Sequence, residues 1–227
     1  MRQVVLDTET TGLRPEDGHR IIEVGCVELL DRRITGNHLH FYLNPEREVE
    51  AGALAVHGIT NEFLHDKPLF SAMASTLMDF IQGAELIIHN APFDVGFINH
   101  ELSLTRKHWK TLSDYCTITD TLPLARQMHV GQRNSLDALC KRYFIDNSKR
   151  DLHGALMDAN LLARVYLAMT GGQGSFFDQV AESVNLSDAP VANVVEATVQ
   201  ALDLPIIYAN EAELAAHAAY LEKIAKS

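Results

Sequence analysis

Asp7 and Glu9 close a short apolar run, Val4-Val5-Leu6, in the segment VVLDTET. An extended chain alternates its side chains, so these two carboxylates share one face. They repel each other unless a cation lies between them. Hard divalent cations take oxygen ligands of this kind. Taken alone, a DxE pair at a strand end is more often the start of a solvated loop. A second acidic segment, HNAPFD at residues 89–94, places Asp94 near the start of a predicted helix. That is favourable ground for a carboxylate, although the segment also reads as a simple cap with a hydrophobic staple. A third, HGALMD at 153–158, pairs His153 with Asp158. At ~100° per residue, a spacing of five puts them about 140° apart on an ideal helix. Either His153 sits on a loose first turn beside Gly154, or the pair is unrelated. Asp158 stands among Ala155, Leu156, Leu161 and Leu162, where a carboxylate is costly without a partner.

These residues need elements to hold them. The β-branched run 4–6 predicts a buried strand. Residues 20–31 and 34–43 predict two more, joined by a tight turn at Asp31-Arg32-Arg33 and ended by Pro45. Three successive strands form an antiparallel meander. The pattern then changes. Residues 69–82 carry apolar side chains at helical spacing after Pro68, 85–89 read as a strand, and 92–104 as a helix opened by Pro92. Residues 116–119 predict a short strand, and Asn134-Ser135 cap a helix through LDALCKRY. The longest helix spans 153–169 and stops at Gly171-Gly172. A meander followed by alternating strands and helices is an α/β domain with a mixed sheet, ending near Thr170.

The chain has 227 residues and a formal net charge of −11, with 47% hydrophobic and 22% charged residues. That is an ordinary globular composition. No apolar run approaches the ~18 residues of a membrane span, and the start is not a signal peptide, so the expectation is a cytoplasmic protein without a membrane partner. Cys26, Cys116 and Cys140 show no metal or redox spacing and read as small buried hydrophobes. The acidic total argues against nucleic acid, but it is unevenly spread. Residues 1–170 carry −5 and residues 171–227 carry −6. Without Asp7, Glu9, Asp94 and Asp158 the first part is nearly neutral, and two divalent ions would neutralise all four. Arg133, Lys141, Arg142, Lys149 and Arg150 are then available to face a nucleic acid strand.

Four carboxylates and one histidine in this order, within VLDTETTG (5–12), HNAPFD (89–94) and HGALMD (153–158), resemble the DEDD superfamily of 3′→5′ exonucleases. The step His57-Gly58-Ile59 matches a further recurrent segment. In the tyrosine branch a Tyr stands four residues before the last Asp; here that position is Gly154 and His153 stands five before, so the histidine branch fits. Within the superfamily, residues 2–173 resemble the proofreading subunits of bacterial replicative DNA polymerases. The resemblance implies a ribonuclease-H-like fold and two divalent ions, magnesium or manganese. It implies that Asp7 bridges both ions, Glu9 and Asp158 complete one site, and Asp94 supports the other. It gives His153 the part of general base, which suits an imidazole at neutral pH. Thr10, Thr11 and Gly12 would bind the terminal nucleotide, Leu13 would wedge the last base, and His57, Asn90 and Phe93 would lie beside the substrate.

Residues 171–199 lack strong periodicity and read as a linker. Within it Gln173, Phe176 and Phe177 resemble a short clamp-binding peptide; local packing of the Phe pair is the plainer alternative. Residues 200–227 hold a capped Ala-rich helix whose apolar face is too small to fold alone, which favours folding on a partner. The resemblance makes that partner the polymerase alpha subunit. It adds the DNA 3′ end, a sliding clamp and a small accessory subunit. An RNA-acting relative and a catalytically silent scaffold are the competing readings. The clamp-like peptide argues against the first, and the intact set of five residues against the second.

Overall fold

The computed structural model describes residues 1–148 and 152–171. Residues 172–199 of the linker, with the QGSFF peptide, the segment 200–227, Lys149 and Arg150 lie outside the described residues. Three stretches pair in succession, the first two apolar at their centres. Strand β1 (Arg2–Thr10) runs antiparallel to β2 (Ile21–Leu30), which runs antiparallel to β3 (Arg33–Tyr42). Asp31 and Arg32 close the second hairpin at φ 47° and 65°. Two consecutive left-handed residues match the twist of the flanking strands. Strands β4 (Glu85–Ile88) and β5 (Thr117–Asp120) then add in parallel, giving the order β3-β2-β1-β4-β5. The mixed sheet expected from the sequence is present, with β1 at its centre.

The alternation of β1 decides what each helix covers. Val4 and Leu6 face α3 (Phe70–Ile81) and α4 (Ala91–Leu104), in one cluster with Leu77, Leu86, Ile88 and Phe97. Val5 faces the other way, with Val27, Leu29 and Ile87, against Ala159, Leu162 and Ala163 of α7 (Ala155–Thr170). Helices α5 (Thr121–Met128) and α6 (Leu136–Arg142) cover the outer side of α7 through Ala125, Leu139 and Cys140. All three cysteines are buried, and burial pushes the Cys116 thiol up to about 11. Periodicity left three short helices unread: α1 (Ala51–His57), α2 (Asn61–Leu64) and α5. The first two span two turns or fewer, and Pro123 interrupts the pattern of the third while fitting its first turn.

One expectation is corrected. The last helix starts at Ala155, with Gly154 as an extended N-cap. His153 therefore precedes the helix and takes no part in its 3.6-residue periodicity. The position of this start is set from below. Gly25 lies opposite Asp7 in the β1–β2 ladder. A Cβ on Gly25 would stand 2.3 Å from the carbonyl carbon of Ala155 and from the nitrogen of Leu156. Glycine is thus what lets the first turn of α7 rest on the sheet. Gly25→Ala forces backbone apart and is expected to cost about 1–3 kcal/mol. Urea unfolding measures this; a variant as stable as the parent would refute the account.

Candidate active site

Beyond Leu6 the α7-facing side of β1 carries Asp7 and then Glu9. The first turn of α7 sits over them and carries Asp158, which is buried, with its backbone N–H on the Gly154 carbonyl at 2.9 Å. A carboxylate in a helix first turn gains from the N-terminal end of the dipole. His153, one residue before the cap, is held by its backbone N–H to the Val56 carbonyl at 3.1 Å. Its Nδ1 lies 3.2 Å from Asp158 Oδ2. The donor atoms of Glu9, His153 and Asp158 all fall within 4.8 Å of one another. Of the two alternatives for the His153–Asp158 pair, the pair is related. A residue that precedes the helix reaches a first-turn carboxylate that a helical residue at that spacing would miss.

Asp7 and Asp94 do not fall within that radius of all three. Asp94 belongs to α4, on the other side of the sheet, and reaches β1 through Thr8. The Thr8 hydroxyl donates to Asp94 Oδ1 at 2.7 Å. Thr8 therefore ties the second acidic segment to the first, a role that its place between two acids did not reveal. Burial pushes the Asp94 carboxyl up to about 7; the Thr8 hydroxyl and nearby backbone N–H groups oppose the rise, and the charge of Asp120 adds to it. Asp120 in turn accepts the Asn90 and Leu122 N–H groups at 3.0 and 2.9 Å. It fixes Asn90, the left-handed N-cap of α4 and an exposed residue.

The turn after β1 is built inward. Thr10 Oγ1 donates to the Gly12 carbonyl at 2.6 Å, and the Thr11 N–H is taken by the Arg20 carbonyl at 2.9 Å. Leu13 projects from it, 79% exposed. It lines a cleft of about 380 Å³ with Phe93 and Phe97 of α4. Phe93 is half-buried and packs on Phe97 with ring centroids 4.9 Å apart, so it serves both the core and the cleft. His57 is buried at the end of α1, and its Nδ1 accepts the Ile59 N–H at 3.0 Å. Burial, followed by the neighbouring His153, lowers its pKa against the opposing pull of the Thr10 backbone. Among the basic residues, Arg142 is engaged by Asn134 and the Arg133 carbonyl.

Glu23 escaped the sequence reading. It lies directly across the ladder from Glu9, is 2% exposed, and holds His40 Nε2 at 2.7 Å. A charged residue between the apolar stretches Ile21-Ile22 and Val24-Gly25-Cys26 is the signal that could have found it. The raised Asp94 value has a consequence for stability. A carboxyl titrating higher in the folded than in the unfolded chain contributes fully below about pH 4 and loses that contribution as pH rises toward about 7. With chelator present, Asp94→Asn is expected to stabilise the protein near pH ~8 and not near pH ~4. An Asn oxygen still accepts the Thr8 hydroxyl. Thermal unfolding at both values tests this, and parallel curves across the range would reject it.

Residues 4–166 match the family model for exonucleases of the RNase T type. The DNA polymerase III subunit epsilon of Escherichia coli K12 is 51% identical over 231 residues, covering 99% of this chain and 94% of its own. That of Rickettsia felis is 47% identical over 227 residues, covering 100% and 98%. Among solved structures, exonuclease X in complex with 5′-overhanging duplex DNA superposes with a TM-score of 0.60 at 24% identity, over 79% of this chain and 98% of that one. The last likeness bears on the fold alone. Among the described residues no helix is long and apolar enough to cross a membrane. The chain belongs to the exonuclease family, and within it to the group of DNA polymerase III epsilon subunits.

Proposed function

We propose that the chain is a 3′→5′ exodeoxyribonuclease that proofreads synthesis as a subunit of a cytoplasmic replicative DNA polymerase. The observation that carries this reading is the convergence of Glu9, Asp158 and His153 at the end of β1, in a chain near half identical to epsilon subunits over its length. Oxygen donors of this kind fit hard divalent cations. Asp7, Glu9, Asp94 and Asp158 are assigned to hold two of them, magnesium or manganese. Such ions supply Lewis acidity toward the phosphodiester and offset charge at the attacking and leaving oxygens.

His153 is assigned as general base. His153 Nδ1 is turned to Asp158, and an imidazole held in this way suits the removal of a proton from the attacking water. Asp158 then holds the ring orientation in the way a buried carboxylate does for an imidazole elsewhere. The exposed position of His153 before the helix lets it meet solvent. Leu13 and Phe93 would receive the terminal base in their shared cleft, with Thr10, Thr11, Gly12, His57 and Asn90 shaping its surroundings. Attack in line at the last linkage would release a 5′-nucleotide.

The remaining assignments concern partners. Residues 1–170 form the exonuclease domain and 171–199 a linker. Gln173, Phe176 and Phe177 would engage the sliding clamp, and residues 200–227 the polymerase alpha subunit; a small accessory subunit would bind the domain. A domain close to neutral once its four site acids are matched binds DNA weakly by itself, because phosphate neutralisation supplies most non-specific affinity. Partners that deliver the 3′ end would make up that deficit.

The decisive experiment digests 3′-labelled single-stranded DNA and RNA with and without chelator. DNA should be degraded from its 3′ end only without chelator. Asp7→Ala combined with Glu9→Ala should abolish release while circular dichroism is unchanged; full activity in that variant would sink the assignment, and preference for RNA would redirect it. Deleting residues 200–227 should preserve nuclease activity and lose co-purification with the polymerase. A truncated protein that still co-purifies rejects the role of that segment.

A further inference from the structure

The turn that carries Leu13 is braced from behind by side chains that the proposed chemistry does not use. His19 is 4% exposed. Its Nδ1 lies 3.0 Å from Thr11 Oγ1 and its Nε2 lies 3.1 Å from Glu50 Oε1. The Thr11 oxygen already accepts the Arg20 backbone N–H at 3.0 Å. An ionised Glu50 carboxylate can only accept, so the ring donates its Nε2–H to it, and the neutral ring's Nδ1 is then the acceptor for the Thr11 hydroxyl. Hydroxyl, imidazole and carboxylate in line are the parts of a nucleophilic triad. Thr11 is fully buried, however, so its oxygen cannot reach a substrate.

The line has a mechanical consequence instead. The His19 ring rests on Gly12, where a Cβ would stand 2.2 Å from its Cε1. The ring therefore dictates the path of Gly12, and Leu13 follows directly at the lip of the cleft it shares with Phe93. Glu50 is the residue before α1, and its backbone N–H donates to the Thr11 carbonyl at 3.0 Å. Turn and helix are thus joined twice, once through backbone and once through the ring.

We infer that His19 and Glu50 are positioning residues for the 3′-terminal nucleotide: the Glu50 carboxylate orients the His19 ring, and the ring holds Gly12 so that Leu13 projects into the cleft. A residue ordered in the free protein does not have to be ordered on binding, which favours affinity. The inference rests on the proposed reading that Leu13 meets the terminal base.

The test measures steady-state digestion of 3′-labelled single-stranded DNA by the full chain in magnesium. Glu50 is 57% exposed on its side chain, so Glu50→Ala leaves the core untouched and keeps the backbone link. It should raise KM about ten-fold with kcat within about two-fold, the pattern of lost uniform binding. Glu50→Gln keeps an oxygen for the Nε2–H and should return KM to within about two-fold of the parent. Leu13→Ala should raise KM comparably. A rise with Leu13→Ala but not with Glu50→Ala overturns the inference and leaves the reading of Leu13 standing. No rise with Leu13→Ala removes both. A fall in kcat at constant KM in Glu50→Ala, or failure of Glu50→Gln to rescue, also overturns it.

Discussion

Like charge held at close range is the constraint around which this molecule is arranged. Asp7 and Glu9 share one face at the end of β1, Asp158 comes down on them from α7, and Glu23 lies across the ladder from Glu9. In water such a group would spread apart; here the sheet and the helix forbid it. Three acids of the region are held by something specific. Asp158 has a helix N-terminus and the His153 ring, Glu23 has His40, and Asp94 has the Thr8 hydroxyl. The most deeply buried of the proposed ligands, Asp94, has its carboxyl pushed up to about 7, the mark of a charge whose neighbours do not fully offset the loss of water. A cation set among these groups would relieve the repulsion and the desolvation together.

Bringing the acids together depends on backbone rather than side-chain fit. Gly25 lets α7 lie on the sheet at a separation that any Cβ would prevent. Asp158 and His153 belong to the start of that helix, so their height above β1 is set there. His153 is tied laterally by Val56 at the end of α1, and α1 is preceded by its N-cap Glu50, which also braces the turn after β1. A path of hydrogen bonds and close contacts thus runs from the Leu13 turn through His19 and α1 to His153. The substrate-facing turn and the basic imidazole share one frame although 140 residues separate Leu13 and His153 in sequence.

How much of this was legible beforehand follows from range. The strands of the meander, helices α3, α4 and α7, and the five residues of the three acidic segments all announce themselves through local pattern. Period-two alternation put Asp7 and Glu9 on one face, and it does so in the structure. Glu23 was hidden because its significance is a cross-strand register, which the sequence states only once the pairing of β1 and β2 is known. Thr8 was hidden because its partner lies 86 residues away. His19 had no pattern at all, since its meaning is a close approach to Gly12 and Glu50.

By itself the sequence determined the order of the strands and the longer helices, which residues alternate into the core, and the set of acids with one histidine that marks the family. Those are properties of neighbouring residues, governed by backbone geometry and local burial. Only the tertiary structure decided that His153 stands before α7 rather than on it, that it lies 3.2 Å from Asp158, and that Asp94 joins β1 through a threonine. These depend on how a helix docks on a sheet, which is fixed by contacts such as Gly25 against Ala155 that no local pattern records.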